Sequence, residues 1–304
     1  MLDVILQAGG LIICGLLWQL FTPQGLDAST LRRSLTSFVY VLLLPALVLV
    51  VLWRAPLSLD AVRVATLAAL GVVVGMGGAK LWFTLQRPAN RALGALLLAA
   101  AFPNATYMGL PVLEAAFGPW ARTIAIQYDL FACTPLLLSV GVMLASHYGG
   151  VKESGHPVVA LLKVPPLWAA VAGVVFNLSA IPLPVVLGGL LDTLAAGVVP
   201  LMLFSIGLSL RWSGSWRQQL PLVFPVVIIQ LIITPVVIWW VSGTMGLVGD
   251  IRTAVVLEAA MPSMVLGIVL CDRYRLDTAL YAMTVTLSTA LSLFTLPLWF
   301  DLLQ

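Results

Sequence analysis

Charge is what this chain has least of. Only 9% of its 304 residues are Asp, Glu, Lys or Arg, where a soluble domain carries about a quarter. With 61% hydrophobic residues, too few polar side chains remain to cover a surface facing water, so the soluble class is excluded. The net charge of +3 is spread over many loops and forms no basic cluster, which excludes a nucleic-acid partner. Cysteine is almost as scarce. Cys14, Cys133 and Cys271 lie far apart, each in or beside an apolar run, giving neither a disulfide framework nor metal-ligand spacing. His147 and His156 flank a polar loop with no Cys or carboxylate at ligand spacing, and read as solvated loop residues. No nucleophile-and-base arrangement is present. The glycine run containing GMGG has no following GK[ST] and no preceding strand, so it is no phosphate loop. Enzyme, metal and cofactor chemistry therefore have no sequence support.

What is present is long apolar runs. A membrane helix needs about 20 apolar residues, and such runs occupy 4–21, 34–53, 61–85, 91–116, 121–147, 159–177, 184–210, 219–242, 251–271 and 278–300. The expected fold is an all-α membrane protein of ten transmembrane helices joined by short loops. The first run lacks a basic segment before it and a small-residue cleavage site after it, and reads as a retained span. The odd-numbered loops hold Arg32, Arg33, Arg87, Arg91, Lys152, Lys163, Arg211, Arg217, Arg273 and Arg275; the even-numbered loops hold Arg54, Arg63, Arg122 and Arg252. Cationic residues favour the cytoplasmic side, so the odd loops are expected inside and both termini outside, in a bacterial inner membrane. Trp18, Trp53, Trp120, Trp212, Trp216 and Trp299 fall near span ends, where aromatic anchors are expected. GGLI (9–12) and GVVVGMGGA (71–79) are expected to let helices pack closely.

The chain also repeats itself. LTSFVYVLLLPALVL (35–49) aligns with LLDTLAAGVVPLMLF (190–204), placing Pro45 on Pro200. LAAAFPNATYMGL (98–110) aligns with LEAAMPSMVLGIV (257–269), placing Pro103 on Pro262. The order is the same and the offsets nearly so. This implies two five-helix units, residues 1–148 and 159–304, joined by a cytoplasmic linker at 149–158. Five is odd, so the second unit is inverted relative to the first, a pattern typical of secondary transporters. Pro103 and Pro111 interrupt the fourth span on either side of NATYMG, and Pro262, Ser263 and Gly267 interrupt the ninth. Broken helices inside a membrane are tolerated where they line a cavity, and the N-terminus of a half-helix favours an anion. The expected substrate site is formed by Pro103, Asn104, Thr106, Tyr107 and Pro111 from the first break with Pro262, Ser263, Met264 and Gly267 from the second.

These same residues carry a family resemblance. FPNATYMGLPVLEAAFG resembles the PN-x-x-x-MG-x-P-LL-x-x-x-(Y/F)G segment of the auxin efflux carriers, the PIN proteins and their prokaryotic relatives. VLEAAMPSMVLGIVLCDRYRLD resembles that family's second crossover, LPVVLGGLLDTLAAGVVPLMLFSIGLSL its seventh span and LLLPALVLVVL its second. The four segments come in family order and span nearly the whole chain, whose short central loop is similar to the prokaryotic branch. The resemblance implies a ten-helix PIN-like fold with helices four and nine crossed. It implies an elevator-like movement of a transport part against a scaffold, organic anions such as carboxylates as substrates, and a homodimer. It also implies that Asn104 holds the substrate carboxylate. Ser263 and Gly267 depart from the plant pattern, where a second proline occupies the latter position.

An ionisable residue within a span is costly and points to function. Glu114, Asp129, Asp192 and Glu258 fall in the outer half of the expected spans. A carboxyl in apolar surroundings resists ionisation and so can take a proton on one side of the membrane and release it on the other. Glu114, Asp129 and Glu258 are therefore the expected ion-coupling residues. The sequence leaves open whether the ion is a proton or sodium, and equally a sodium-coupled symporter or a membrane metabolite sensor. Lys80, near the inner end of the third span, is expected to snorkel to the surface.

Overall fold

A computed structural model describes residues 2–55, 59–151, 159, 162–210 and 216–304. Among these residues the protein is helical and has no strand; its one extended contact is a bridge between Pro103 and Ser263. Most of the linker expected over 149–158 lies outside the described residues, as do Lys152, His156, Arg211 and Trp212.

In chain order the helices are α1 (Leu2–Phe21), α2 (Ala28–Arg54), α3 (Asp60–Gln86), α4 (Asn90–Ala101), α5 (Leu110–Phe117), α6 (Pro119–Gly149), α7 (Pro165–Leu178), α8 (Val185–Gly207), α9 (Arg217–Thr244), α10 (Gly249–Ala259), α11 (Gly267–Arg273) and α12 (Thr278–Leu303). Six of them, α2, α3, α6, α8, α9 and α12, are long and apolar enough to cross a membrane. The expected fourth span is divided into α4 and α5, and the ninth into α10 and α11.

Proline explains much of the local geometry. Five wide, π-type turns interrupt the described helices. Four of them, Val39–Leu43, Ala105–Gly109, Asp129–Cys133 and Ile229–Ile233, end two positions before Pro45, Pro111, Pro135 and Pro235 respectively. A proline has no N–H and its ring presses on the carbonyl four residues back; a locally widened turn relieves that clash. The carbonyl left without an intrahelical donor then needs another. In α9 the carbonyl four residues before Pro235 is that of Leu231, and the Trp299 indole N–H donates to it at 2.8 Å. Trp299 thus has a structural bond beyond the interfacial role expected of it. Trp53 also departs from the anchor reading: it is buried and donates to the Ile181 carbonyl at 2.7 Å.

The helices pack in two groups. In one, α7 and α8 lie against α2, and α1 lies against α8. In the other, α3, α4, α5, α6, α9, α10, α11 and α12 surround the two helix breaks. Contacts between the groups are sparser and run through α1 with α5, α2 with α6, and α8 with the turn Ala105–Gly109. The α1–α8 contact is a close backbone approach, since a Cβ on Gly15 would meet the Phe204 carbonyl and one on Gly207 would meet that of Ile12. The glycines expected to serve this role in α1, Gly9 and Gly10, face open space instead. In α3 the expectation fits Gly71, Gly75 and Gly78, which pack on neighbours, but not Gly77.

Candidate functional site

Each break begins at a proline. Phe102, preceding Pro103, is extended (φ −115°, ψ 106°), as the ring of a following proline requires. The two broken segments then cross and pair backbone to backbone. The Asn104 N–H donates to the Pro262 carbonyl at 2.7 Å, and the Met264 N–H donates to that of Phe102 at 3.0 Å. Unwound backbone in an apolar interior needs its polar groups satisfied, and here each break supplies partners for the other.

The neighbouring side chains complete the accounting. Pro103 leaves the Ala99 carbonyl without its helical donor, and the Ser263 hydroxyl donates there at 2.7 Å. The Ser263 N–H donates to the Ser288 hydroxyl at 3.2 Å. Pro262 leaves the Glu258 carbonyl in the same position, and the Met261 N–H takes it at 3.2 Å. Gln230 Nε2 donates to the Met261 carbonyl at 3.0 Å, and the Tyr281 hydroxyl to that of Met264 at 2.9 Å.

A cavity of about 60 Å³ opens on one side of the crossing, room for several waters. Of the residues expected from the sequence, Pro103, Asn104, Thr106, Tyr107, Met264 and Asp129 line it. Pro111, Pro262, Ser263 and Gly267 are buried beside it and do not. Ser263 is engaged as described, and a Cβ on Gly267 would run into the Tyr281 ring. The sequence reading missed Tyr40 and Leu44 of α2 and Thr134 of α6, which also line the cavity, among further apolar residues. For Thr134 a signal was available, the Thr-Pro step five residues after Asp129.

Two polar groups in this wall differ. Asn104 is 1% exposed and its Nδ2 has no partner in the protein; a buried donor left unmade costs about 1–3 kcal/mol. Asp129 is half-buried and accepts from the hydroxyls of Thr106 and, at 2.9 Å, Thr134. The other acids expected to matter lie elsewhere. Glu258 is 0% exposed, neither carboxyl oxygen has a hydrogen-bond partner, and it packs where a Cβ of Gly109 would stand. Glu114 is ion-paired with Arg122, and Asp192 forms a two-pronged, exposed pair with Arg54 at 2.8 and 3.0 Å.

Two further cavities bear on the site, one beside the crossing and one apart from it. One of about 40 Å³ shares Tyr107 and Leu266 with the first and adds Arg32, Thr36, Ser205 and Ser209. The other, about 440 Å³, is lined by Arg54, Arg122, Asp192, Ile124 and Gln127 among others, and shares no lining residue with the first.

An apolar helical chain whose broken helices cross beside a small cavity holding a few polar groups is built as an integral membrane protein of the transporter class. A family model described as membrane transport protein matches residues 26–162 and 154–300. The chain belongs to that family, the auxin efflux carrier family. An uncharacterized transporter of the archaeon Methanothermobacter thermautotrophicus is 32% identical over 275 residues, covering 90% of this chain and 88% of the relative. An uncharacterized transporter of Methanocaldococcus jannaschii is 26% identical over 220 residues, covering 69% and 68%.

Proposed function

We propose that the protein is a secondary carrier of small organic anions, with the substrate carboxylate bound at Asn104 where the two broken helices cross. The observation that carries this reading is the buried Asn104 Nδ2, a donor with no protein partner in a cavity wall. Apolar surroundings make such a hydrogen bond to a carboxylate strong. Asn104 directly precedes the turn Ala105–Gly109, and the first amides of a helix lack partners within it. The Asn104 carbonyl accepts from Met108 and Gly109 at 3.1 and 3.0 Å, which fixes the turn against its own side chain.

In this reading α4 with α5 make one membrane crossing and α10 with α11 another, giving ten crossings in two inverted halves, residues 1–148 and 159–304. The division of packing into two groups supports an elevator-like step, in which α1, α2, α7 and α8 form the scaffold and the remaining helices carry the crossing. The cavity at Asn104 adjoins the one lined by Arg32, on the side that the loop charges assign to the cytoplasm. The larger cavity at Arg54 and Arg122 is separate from it. That asymmetry supports an inward-facing state.

The test is counterflow in proteoliposomes, using labelled acetate, benzoate, succinate and indole-3-acetate in turn. The expected result is saturable exchange of at least one, lost in Asn104→Ala. Stabilisation by an anion without any flux would identify a sensor and overturn the carrier reading.

A further inference from the structure

Resting on that reading, we propose that Asp129 is a proton-binding site that makes carriage of the anion a proton symport. Asp129 and Asn104 line the same cavity. A substrate carboxylate held by Asn104 therefore shares a small, largely apolar space with the Asp129 carboxyl. Two negative charges in such a space oppose each other, and binding of one favours protonation of the other.

Among the described residues no ion pair involves Asp129; Arg32, which acts on Tyr107, lines the adjoining cavity and not this one. Its hydrogen-bond partners are the hydroxyls of Thr106, on the broken segment, and Thr134, on its own helix. The titratable groups that sense its charge are Tyr40 from α2, Tyr107 from the crossing, Cys133 one helical turn on, and Glu258 from α10. Glu258 is an acid, and the others are neutral as tyrosine or thiol. The three described ion pairs engage Arg54, Arg63 and Arg122 with acids other than Asp129. The charge that balances a bound anion is then a proton taken from solution onto an Asp129 carboxyl oxygen. The O–H so formed adds a donor to the site beside Asn104 Nδ2. Release of the anion on the other side frees the carboxyl to return the proton there.

This separates the three acids the sequence brought forward. Glu114 has its counter-ion in Arg122. Glu258 lines none of the three cavities described above. Asp129 alone of the three is both within the substrate cavity and partly exposed to it. The wide turn Asp129–Cys133 that starts at this residue belongs to a class of turn that recurs at functional sites.

The linkage has a definite sign. With one proton bound per anion, affinity is constant below the pH at which Asp129 titrates and falls about tenfold per pH unit above it. The test uses purified protein and thermal stabilisation by the four probe anions named above, measured across pH in sodium and in choline buffers. Infrared difference spectra of the carboxylic C=O stretch accompany it. Wild type is expected to show the falling affinity and a titrating carboxyl, the same in both buffers. Asp129→Asn is expected to lose that carboxyl and bind with affinity independent of pH. Thr134→Val keeps the acid but removes a donor, so it is expected to move the pH of the break; a purely structural Asp129 would leave the break in place. An unchanged pH profile in Asp129→Asn, or affinity that follows sodium and not pH, overturns the proposal. A titrating carboxyl lost in Asp129→Asn with no anion bound at any pH overturns the anion reading, and the symport with it, but leaves the proton site standing.

Discussion

Asn104 and Ser263 occupy similar places in the two breaks, each directly after the proline that interrupts its helix. Their side chains have opposite fates. The Ser263 hydroxyl is spent inside the protein, on the Ala99 carbonyl that Pro103 leaves without a donor. The Asn104 amide nitrogen is buried with no protein partner. The second crossover is thus a brace for the first, and the first presents polar groups to the cavity. The two breaks are alike in beginning at a proline; they differ in whether the side chain that follows it is engaged within the protein.

The sharpest way to break this comparison is Asn104→Ala. A hydrogen bond to a charged group is worth about 1.5–3 kcal/mol, so affinity for the anion is expected to fall about tenfold to a hundredfold. Thermal stability in the absence of anion is expected to hold or rise, because an unsatisfied buried donor is removed. Calorimetric binding and a melting curve on the same preparation check both halves of that statement. A loss of stability with affinity retained would make Asn104 the brace and reverse the assignment.

The converse change is Gly267→Ala. The added methyl has no room beside the Tyr281 ring and displaces the hydroxyl that holds the Met264 carbonyl. Overpacking of this kind costs about 1–3 kcal/mol, read as a lower midpoint in detergent unfolding. Ser263→Ala is milder, expected to cost about 1 kcal/mol through the orphaned Ala99 carbonyl. Affinity at Asn104 is expected to change less than stability in both, which distinguishes a brace from a binding residue.

The breaks themselves were legible because proline acts on its own chain: Pro103, Pro111 and Pro262 mark them directly. The division of labour between them was not, because it is decided by contacts far away in sequence. Nothing near Ser263 announces Ala99, and nothing near Gly267 announces Tyr281. The wide turns were hidden for a related reason. A proline disturbs the backbone upstream of itself, so Pro135 and Pro235 leave their mark on Asp129–Cys133 and Ile229–Ile233, where composition shows only apolar helix. Asp129 stood out as a lone acid in such a helix, but its partner Thr106 comes from the crossing, and its partner Thr134 was passed over. Glu114 read as an intramembrane acid because Arg122 lies eight residues on, beyond the end of α5. The chain reverses at Gly118 (φ 91°), a left-handed conformation that glycine adopts freely, and brings the two together.

That reversal gives the smallest expected effect and the last test of the comparison. Glu114 closes the arm that begins at Asn104, whereas the arm after Ser263 ends at Arg273 with no acid in the equivalent position. If the first arm is specialised for the ligand along its whole length, Glu114→Gln should alter the pH dependence of binding as Asp129→Asn does. The geometry argues otherwise. Glu114 and Arg122 are each a little over one-fifth exposed, and pairs with access to water contribute up to about 1 kcal/mol. Neither lines the cavity at the crossing. Glu114→Gln is therefore expected to lower the melting midpoint slightly and to leave the pH profile of anion affinity unchanged. A profile flattened by Glu114→Gln would extend the specialised region from the turn Ala105–Gly109 to the end of α5, and would transfer the proton from Asp129 to the rim.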